Sequence, residues 1–120
     1  MEAKPSTVVL VVDDNQDLAE NIAEILSLHG YEAVIAGSAE DALPKALPDG
    51  PDLLVTDFRL PGISGAELVR EIRQHRRGVR AVVISAYTDE NTVAAARNAG
   101  ADFLPKPVDF SALSRILSTA

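Results

Sequence analysis

A chain of 120 residues, 47% hydrophobic and 24% charged, is long enough to bury one core without covalent staples and too apolar to stay unfolded. Eleven Lys and Arg against eighteen Asp and Glu leave a net charge of -7, which argues against sequence-independent attraction to nucleic acid or to an anionic membrane. With no Cys there are no disulfides, thiolate metal sites or Cys nucleophiles, and no apolar run approaches the length of a membrane span. The opening MEAKPST lacks the charged and apolar regions of a signal peptide, so the expectations are a cytoplasmic location and one domain over 1–120, with 1–6 as a tail.

In chain order, TVVLVV is an apolar, β-branched run that reads as a strand and stops at two adjacent carboxylates, Asp13 and Asp14. Side by side these repel unless something positive sits between them. Asn15 then caps a helix whose apolar residues Leu18, Ile22, Ile25 and Leu26 recur at helical spacing, and Gly30 ends it. YEAVIA is the second strand. In SAEDALPKAL, Ser38 caps a short second helix with Pro44 in its first turns or at a kink, and PDG breaks the chain before the third strand, DLLVT.

The third helix is expected from about Ala66 through Leu68, Val69 and Ile72, ending before Gly78. Arg70, Arg73, Arg76, Arg77 and Arg80 gather at its end, where cations complement the helix dipole; they read as a solvated face, with a docking surface for an acidic partner as the alternative. RAVVIS is the fourth strand. The Ala-rich DENTVAAARNAG, closing at Gly100, is a fourth helix of high propensity but little bulk to hold it to a sheet, which suits a moving part. ADFL is a short fifth strand, and a fifth helix begins near Asp109 with Phe110, Leu113, Ile116 and Leu117 on one side. His29 and His75 are isolated and read as surface or helix-end residues.

Strict alternation predicts an α/β, (βα)5 doubly wound three-layer sandwich around a parallel five-stranded sheet, since right-handed crossovers place helices on both faces. No repeat, linker or output domain is expected within the 120 residues. The first chemically capable side chains after the strands are Asp13 and Asp14, Asp57, Ser85 and Lys106. In a parallel sheet they converge on the rim at the carboxyl ends, where open α/β folds place their ligands.

Three carboxylates in one place either take up protons or bind a cation, and an all-oxygen donor set selects a hard divalent ion such as Mg2+. Its octahedral shell leaves positions for water and phosphoryl oxygens, to which Lys106 offers a charge and Ser85 a hydrogen bond. Asp57, alone at the end of a strand expected beside the first, is the candidate nucleophile, and an aspartyl phosphate is the implied intermediate.

The segments VLVVDDN, DLLVTDFRLPGISG, VVISAYT and AGADFLPKP resemble, in order and spacing, the receiver domains of two-component response regulators over nearly the whole chain. The resemblance implies a flavodoxin-like strand order 2-1-3-4-5. It implies that Asp57 takes a phosphoryl group from a phosphohistidine on a sensor histidine kinase or a histidine phosphotransfer protein. Mg2+ (or Mn2+) would be held by Asp14 directly, by Asp13 mostly through water, by Asp57 and by the backbone carbonyl of Arg59. Lys106 would contact the phosphoryl group, and Lys106 to Pro107 would be a cis peptide.

By the same resemblance Ser85 and Phe103 are the switch pair, biasing the face of the fourth helix, fifth strand and fifth helix, a face also suited to homodimerisation. Phe103 replaces Tyr at the switch position, as in many members, so its rotamer rests on packing alone. Arg59 and Tyr87 occupy flanking positions that tune phosphoryl lifetime. Such a domain catalyses only its own phosphoryl transfer and dephosphorylation, is no enzyme otherwise, and touches neither nucleic acid nor membrane directly.

Three other readings are weaker. A flavodoxin-type ligand binder needs a cradle of small residues and backbone N–H groups where DDNQD stands. A phosphatase with an Asp nucleophile places a second carboxylate two residues on, where this chain has Arg59. A pseudo-receiver acting by contact alone normally lacks the acceptor or the Lys, and both are present.

Overall fold

Each apolar, β-branched run forms a strand and each segment of helical spacing a helix in the computed structural model, which describes residues 7–118; the expected tail at 1–6 lies outside the described residues. The elements are β1 (Thr7–Val12), α1 (Gln16–Leu28), β2 (Tyr31–Ala36), α2 (Ala39–Ala46), β3 (Leu53–Asp57), α3 (Gly65–His75), β4 (Arg80–Ser85), α4 (Glu90–Asn98), β5 (Asp102–Pro105) and α5 (Phe110–Ser118). The strands make one parallel sheet in the order β2-β1-β3-β4-β5, as expected. The order reverses between β1 and β3, and that crevice lies at the carboxyl ends.

The period of two along the strands divides the core into halves. Val9, Val11, Leu53, Val55, Val82 and Ile84 face α1 and α5, against Ala19, Ile22, Leu26, Leu113 and Leu117. Leu10, Val12, Leu54, Ala81 and Val83 face the other way, against Ala42 of α2, Leu68, Val69 and Ile72 of α3, and Ala96 of α4. β3 and β4 are buried along nearly their whole length, which is why their runs are apolar without alternation.

Helix limits follow local chemistry. Asn15 Oδ1 accepts from Leu18 N at 3.1 Å, Ser38 Oγ from Asp41 N at 3.0 Å, and Asp89 Oδ2 from Thr92 N at 3.1 Å. Asp109 Oδ1 accepts from Ser111 N at 2.9 Å, so α5 starts where expected. α3 begins one residue before the expected Ala66, because Ser64 and Glu67 form a reciprocal capping box. Gly30 follows α1 at φ +89, a conformation other residues rarely adopt. Pro44 sits within α2 and leaves the carbonyl of the exposed Glu40 without its helical partner; the helix ends two residues later. Leu47–Pro48 is a cis peptide that the sequence did not suggest, and Lys106–Pro107 is cis as the resemblance implied.

The arginine cluster departs from the expected solvated face. Arg76 reaches back to the loop before β3, donating to Pro51 O at 2.8 Å and Ala46 O at 3.3 Å and pairing with Asp52 at 2.6 Å. Arg73 Nη1 donates to Val79 O, and Arg80 pairs with Asp102 at 3.9 Å. Only Arg70 and Arg77 of the five are exposed. His29 caps the end of α1 and His75 is the last residue of α3, both helix-end residues as read.

Leu68 is fully buried between α3 and the sheet, whereas Leu28 at the end of α1 is 79% exposed. Leu68→Ala is expected to lower the unfolding free energy by about 2–5 kcal/mol in urea titration, and Leu28→Ala by less than about 0.5 kcal/mol. Equal losses would mean that the two faces of the sheet do not carry the core as described.

Candidate functional site

Five side chains expected to converge do so at the carboxyl rim. β1 ends at Val12, and the N–H of Asp13 donates to Ala36 O at 3.0 Å, which fixes Asp13 just past the strand. Asp57 is the last residue of β3, one residue later than the DLLVT run suggested, and is held in the ladder opposite Ile84. Phe58 N continues that ladder to Ile84 O at 2.8 Å, and Lys106 N donates to Ser85 O at 2.8 Å. Backbone pairing thus extends beyond the strands and orients the loops that carry the polar groups.

Lys106 Nζ lies 3.1 Å from Asp57 Oδ1 and 3.6 Å from Asp13 Oδ2. One ammonium is therefore shared by two buried carboxylates, while Asp14 beside them is exposed. One oxygen from each of Asp13, Asp14 and Asp57 falls within 4.8 Å of the others, a spacing that fits one metal ion. Asp13 Oδ1 accepts from Asn15 N at 2.9 Å, but its Oδ2 is buried without a hydrogen-bond donor. An orphaned carboxylate oxygen beside two more carboxylates suits a hard cation, and with no sulfur or imidazole donor in the set Mg2+ fits better than Zn2+.

Ser85 is buried at the end of β4, and its Oγ accepts from Tyr87 N at 2.9 Å, leaving its own O–H to donate. Phe103 is half-buried in β5 and packs against the core half formed with α2, α3 and α4. Arg59 and Tyr87, exposed residues from the loops after β3 and β4, meet in a stack with the guanidinium carbon 4.3 Å from the ring centre.

The sequence matches the profile of the response regulator receiver domain over residues 9–118. A response regulator receiver protein of Anaeromyxobacter sp. (strain Fw109-5) is 47% identical over 109 residues, which is 90% of this chain and 44% of that one. The chain therefore spans less than half the length of this curated relative. A CheY-like response regulator receiver domain from Methanospirillum hungatei JF-1 superposes with a TM-score of 0.87 at 29% identity, covering 94% of this chain and 91% of that one. A response regulator from Burkholderia pseudomallei, solved with a phosphorylated aspartic acid, a calcium ion and citrate, superposes with a TM-score of 0.86 at 27% identity, covering 95% and 68%.

This chain belongs to the response regulator receiver domain family.

Two elements of this receiver's site were not foreseen. Gly65 opens α3 so close to Asp57 that a Cβ there would sit 2.1 Å from the Asp57 carbonyl oxygen, and its N–H donates to Phe58 O at 2.8 Å. Any larger residue would displace the backbone that presents Asp57. Thr56, fully buried, donates its hydroxyl to the same Asp57 carbonyl at 3.0 Å. The S-x-x-E spacing of Ser64 and Glu67 marked the helix start and hence Gly65; the bond from Thr56 left no trace in sequence.

Electrostatics in the receiver follow from the count of charges. Burial raises the carboxyl pKa of Asp57 above its ordinary 3.8, and the negative charge of Asp13 adds to this; the hydrogen bond and charge of Lys106 pull the other way without prevailing. The folded state thus holds the Asp57 proton more tightly than the unfolded chain. Stability consequently falls as pH rises from 3.8 through the raised value, and above it ionised Asp57 is a net cost. Asp57→Asn is expected to raise the melting midpoint at pH 7 in metal-free buffer, with the gain fading as the pH drops below the ordinary carboxylate range. Calorimetry showing a lower midpoint at pH 7 would mean that the Lys106 pair outweighs burial and repulsion.

Proposed function

We propose that this receiver takes a phosphoryl group from a phosphohistidine onto Asp57 and passes the change to the face made by α4, β5 and α5. The observation that carries the reading is Lys106 Nζ at 3.1 Å from Asp57, beside a second buried carboxylate that has an oxygen without a donor. An oxygen of Asp57 forms the new bond to phosphorus while the bond from phosphorus to the imidazole nitrogen of the donor breaks, and that nitrogen keeps the electron pair. Lys106 stands where it compensates charge on the phosphoryl oxygens, and Ser85 has a free O–H to donate to one of them. Asp13, Asp14 and Asp57, with the carbonyl of Arg59, would hold Mg2+ or Mn2+, which when bound would supply the positive charge that lets an anionic carboxylate meet an anionic donor. The calcium ion and phosphorylated aspartic acid of the Burkholderia pseudomallei regulator support this assignment.

The donor would be a sensor histidine kinase or a histidine phosphotransfer protein, encountered in the cytoplasm. The product is a conformational state, so the domain is a signalling element rather than an enzyme with an external substrate. Ser85 turning toward the phosphoryl group would free space for Phe103, which is only partly buried and so has apolar surface left to bury. α4 buries only Thr92 and Ala96 of its own residues, so little apolar area resists its displacement. Homodimerisation through α4, β5 and α5 is the use of that face that the family resemblance suggests, and a net charge of -7 argues against direct contact with nucleic acid.

Incubation with Mg2+ and acetyl phosphate is expected to add one phosphoryl mass to the wild type and none to Asp57→Asn, read by intact mass. No addition from acetyl phosphate or from a phosphohistidine donor would leave an interaction module that works without phosphorylation. Phosphorylation is also expected to move the backbone amide resonances of Glu90–Asn98; an unmoved set would remove α4 from the switch.

The stack of Arg59 on Tyr87 joins the loops that follow β3 and β4, and a shield there would limit the approach of water to the phosphoryl group. Such a contact at an exposed site is worth about 0.5–1 kcal/mol, so replacing both residues by Ala is expected to speed self-dephosphorylation by about two- to fivefold. An unchanged rate of acyl phosphate loss would show that water reaches the site by another route.

A further inference from the structure

The amino end of the sheet, opposite the carboxylate rim, holds a second charged concavity. A cavity of about 330 Å3 lies between the ends of α3 and α4 and the starts of β4 and β5, with Arg73, Arg77, Arg80, Gly100 and Asp102 in its wall. Three arginines and one aspartate thus line one concavity in a domain whose net charge is -7. Complementing the dipole of α3 accounts for Arg73, which lies in its last turn. It does not account for Arg77, which follows the capping residue Arg76, or for Arg80, which lies in β4.

The guanidinium of Arg73 is positioned without an acid: it donates to Val79 O and packs on Gly100, where a Cβ would come within 2.9 Å of Nε. Arg80 meets Asp102 only at 3.9 Å, with the Asp102 side chain half exposed. Arg77 is exposed and makes no hydrogen bond or ion pair among the described residues. Three like charges share the concavity with a single half-exposed carboxylate, so a further anion would lower their repulsion. Guanidinium forks match the paired oxygens of phosphate, and a concavity of about 330 Å3 suits a compact anion better than an extended acidic surface.

We propose that this cavity binds a small phosphate-bearing ligand, a phosphate monoester such as a nucleotide, independently of the Asp57 site. The test follows the backbone amides of the whole domain by nitrogen–proton correlation spectra while inorganic phosphate, and separately adenosine monophosphate, is added at constant ionic strength set with chloride. Saturable shifts are expected at residues 77–81 and 100–102. Arg77→Gln, which removes no contact within the fold, is expected to raise the apparent Kd about tenfold, and Asp57→Asn to leave it unchanged. Shifts that grow linearly, that chloride reproduces, or that Arg77→Gln leaves intact would overturn the proposal. So would saturation of the same amides by a poly-glutamate peptide but not by phosphate, which would make the cavity a contact surface for an acidic protein.

Discussion

One ammonium between two buried carboxylates, with a third carboxylate beside them, is the interaction on which this receiver turns. Lys106 comes within 3.1 Å of Asp57 and 3.6 Å of Asp13, yet a single positive charge does not balance the site. The excess appears in the raised pKa of Asp57 and in the buried Asp13 oxygen that lacks a donor. A fold that minimised its own energy would replace these groups with apolar ones of the same shape. That it keeps them is understandable if the missing positive charge arrives from outside, as a metal ion.

Such a concentration of charge survives because the backbone beneath it has little freedom. Parallel pairing sets β1 beside β3 and β3 beside β4, and hydrogen bonds from Asp13 to Ala36, Phe58 to Ile84 and Lys106 to Ser85 carry the ladder past the strand ends. Both faces of the sheet are covered, so displacing one loop would expose apolar strand surface as well as break hydrogen bonds. Gly65 adds a steric requirement, since the first turn of α3 lies against the carbonyl of Asp57.

The helices differ in how firmly the core holds them. α1 and α5 insert Ile22, Leu26, Leu113 and Leu117, while α4 offers only Ala96 and Thr92 as buried anchors. The small anchor lies on the side of the sheet where Phe103 packs, and the N-terminus of α4 follows Ser85 and Tyr87 in the chain. The segment that follows Ser85 therefore leads into a helix that few apolar contacts restrain. At the other end of the same sheet the starts of β4 and β5 and the ends of α3 and α4 enclose the arginine cavity, so one parallel arrangement separates an acidic end from a basic one.

The alternation of strands and helices, their caps, and the carboxylates, hydroxyl and ammonium that follow the strands were legible in the sequence, because apolar runs, helical spacing and capping residues act within a few positions of one another. The family resemblance added the roles of those residues and the cis bond at Pro107. Other features needed the folded chain. Arg76 read as part of a solvated helix end, but its guanidinium reaches Pro51 and Asp52, some 25 residues back. Arg59 and Tyr87 read as separate loop positions and prove to be a stacked pair. The imbalance at Asp57 depends on how far one ammonium stands from two carboxylates, and the basic cavity on how two helix ends meet two strand starts. Composition and local periodicity by themselves determined what this protein is made of and which chemistry it holds, whereas the distances between groups remote in sequence, and with them burial, pairing and pKa, were decided only when the sheet closed.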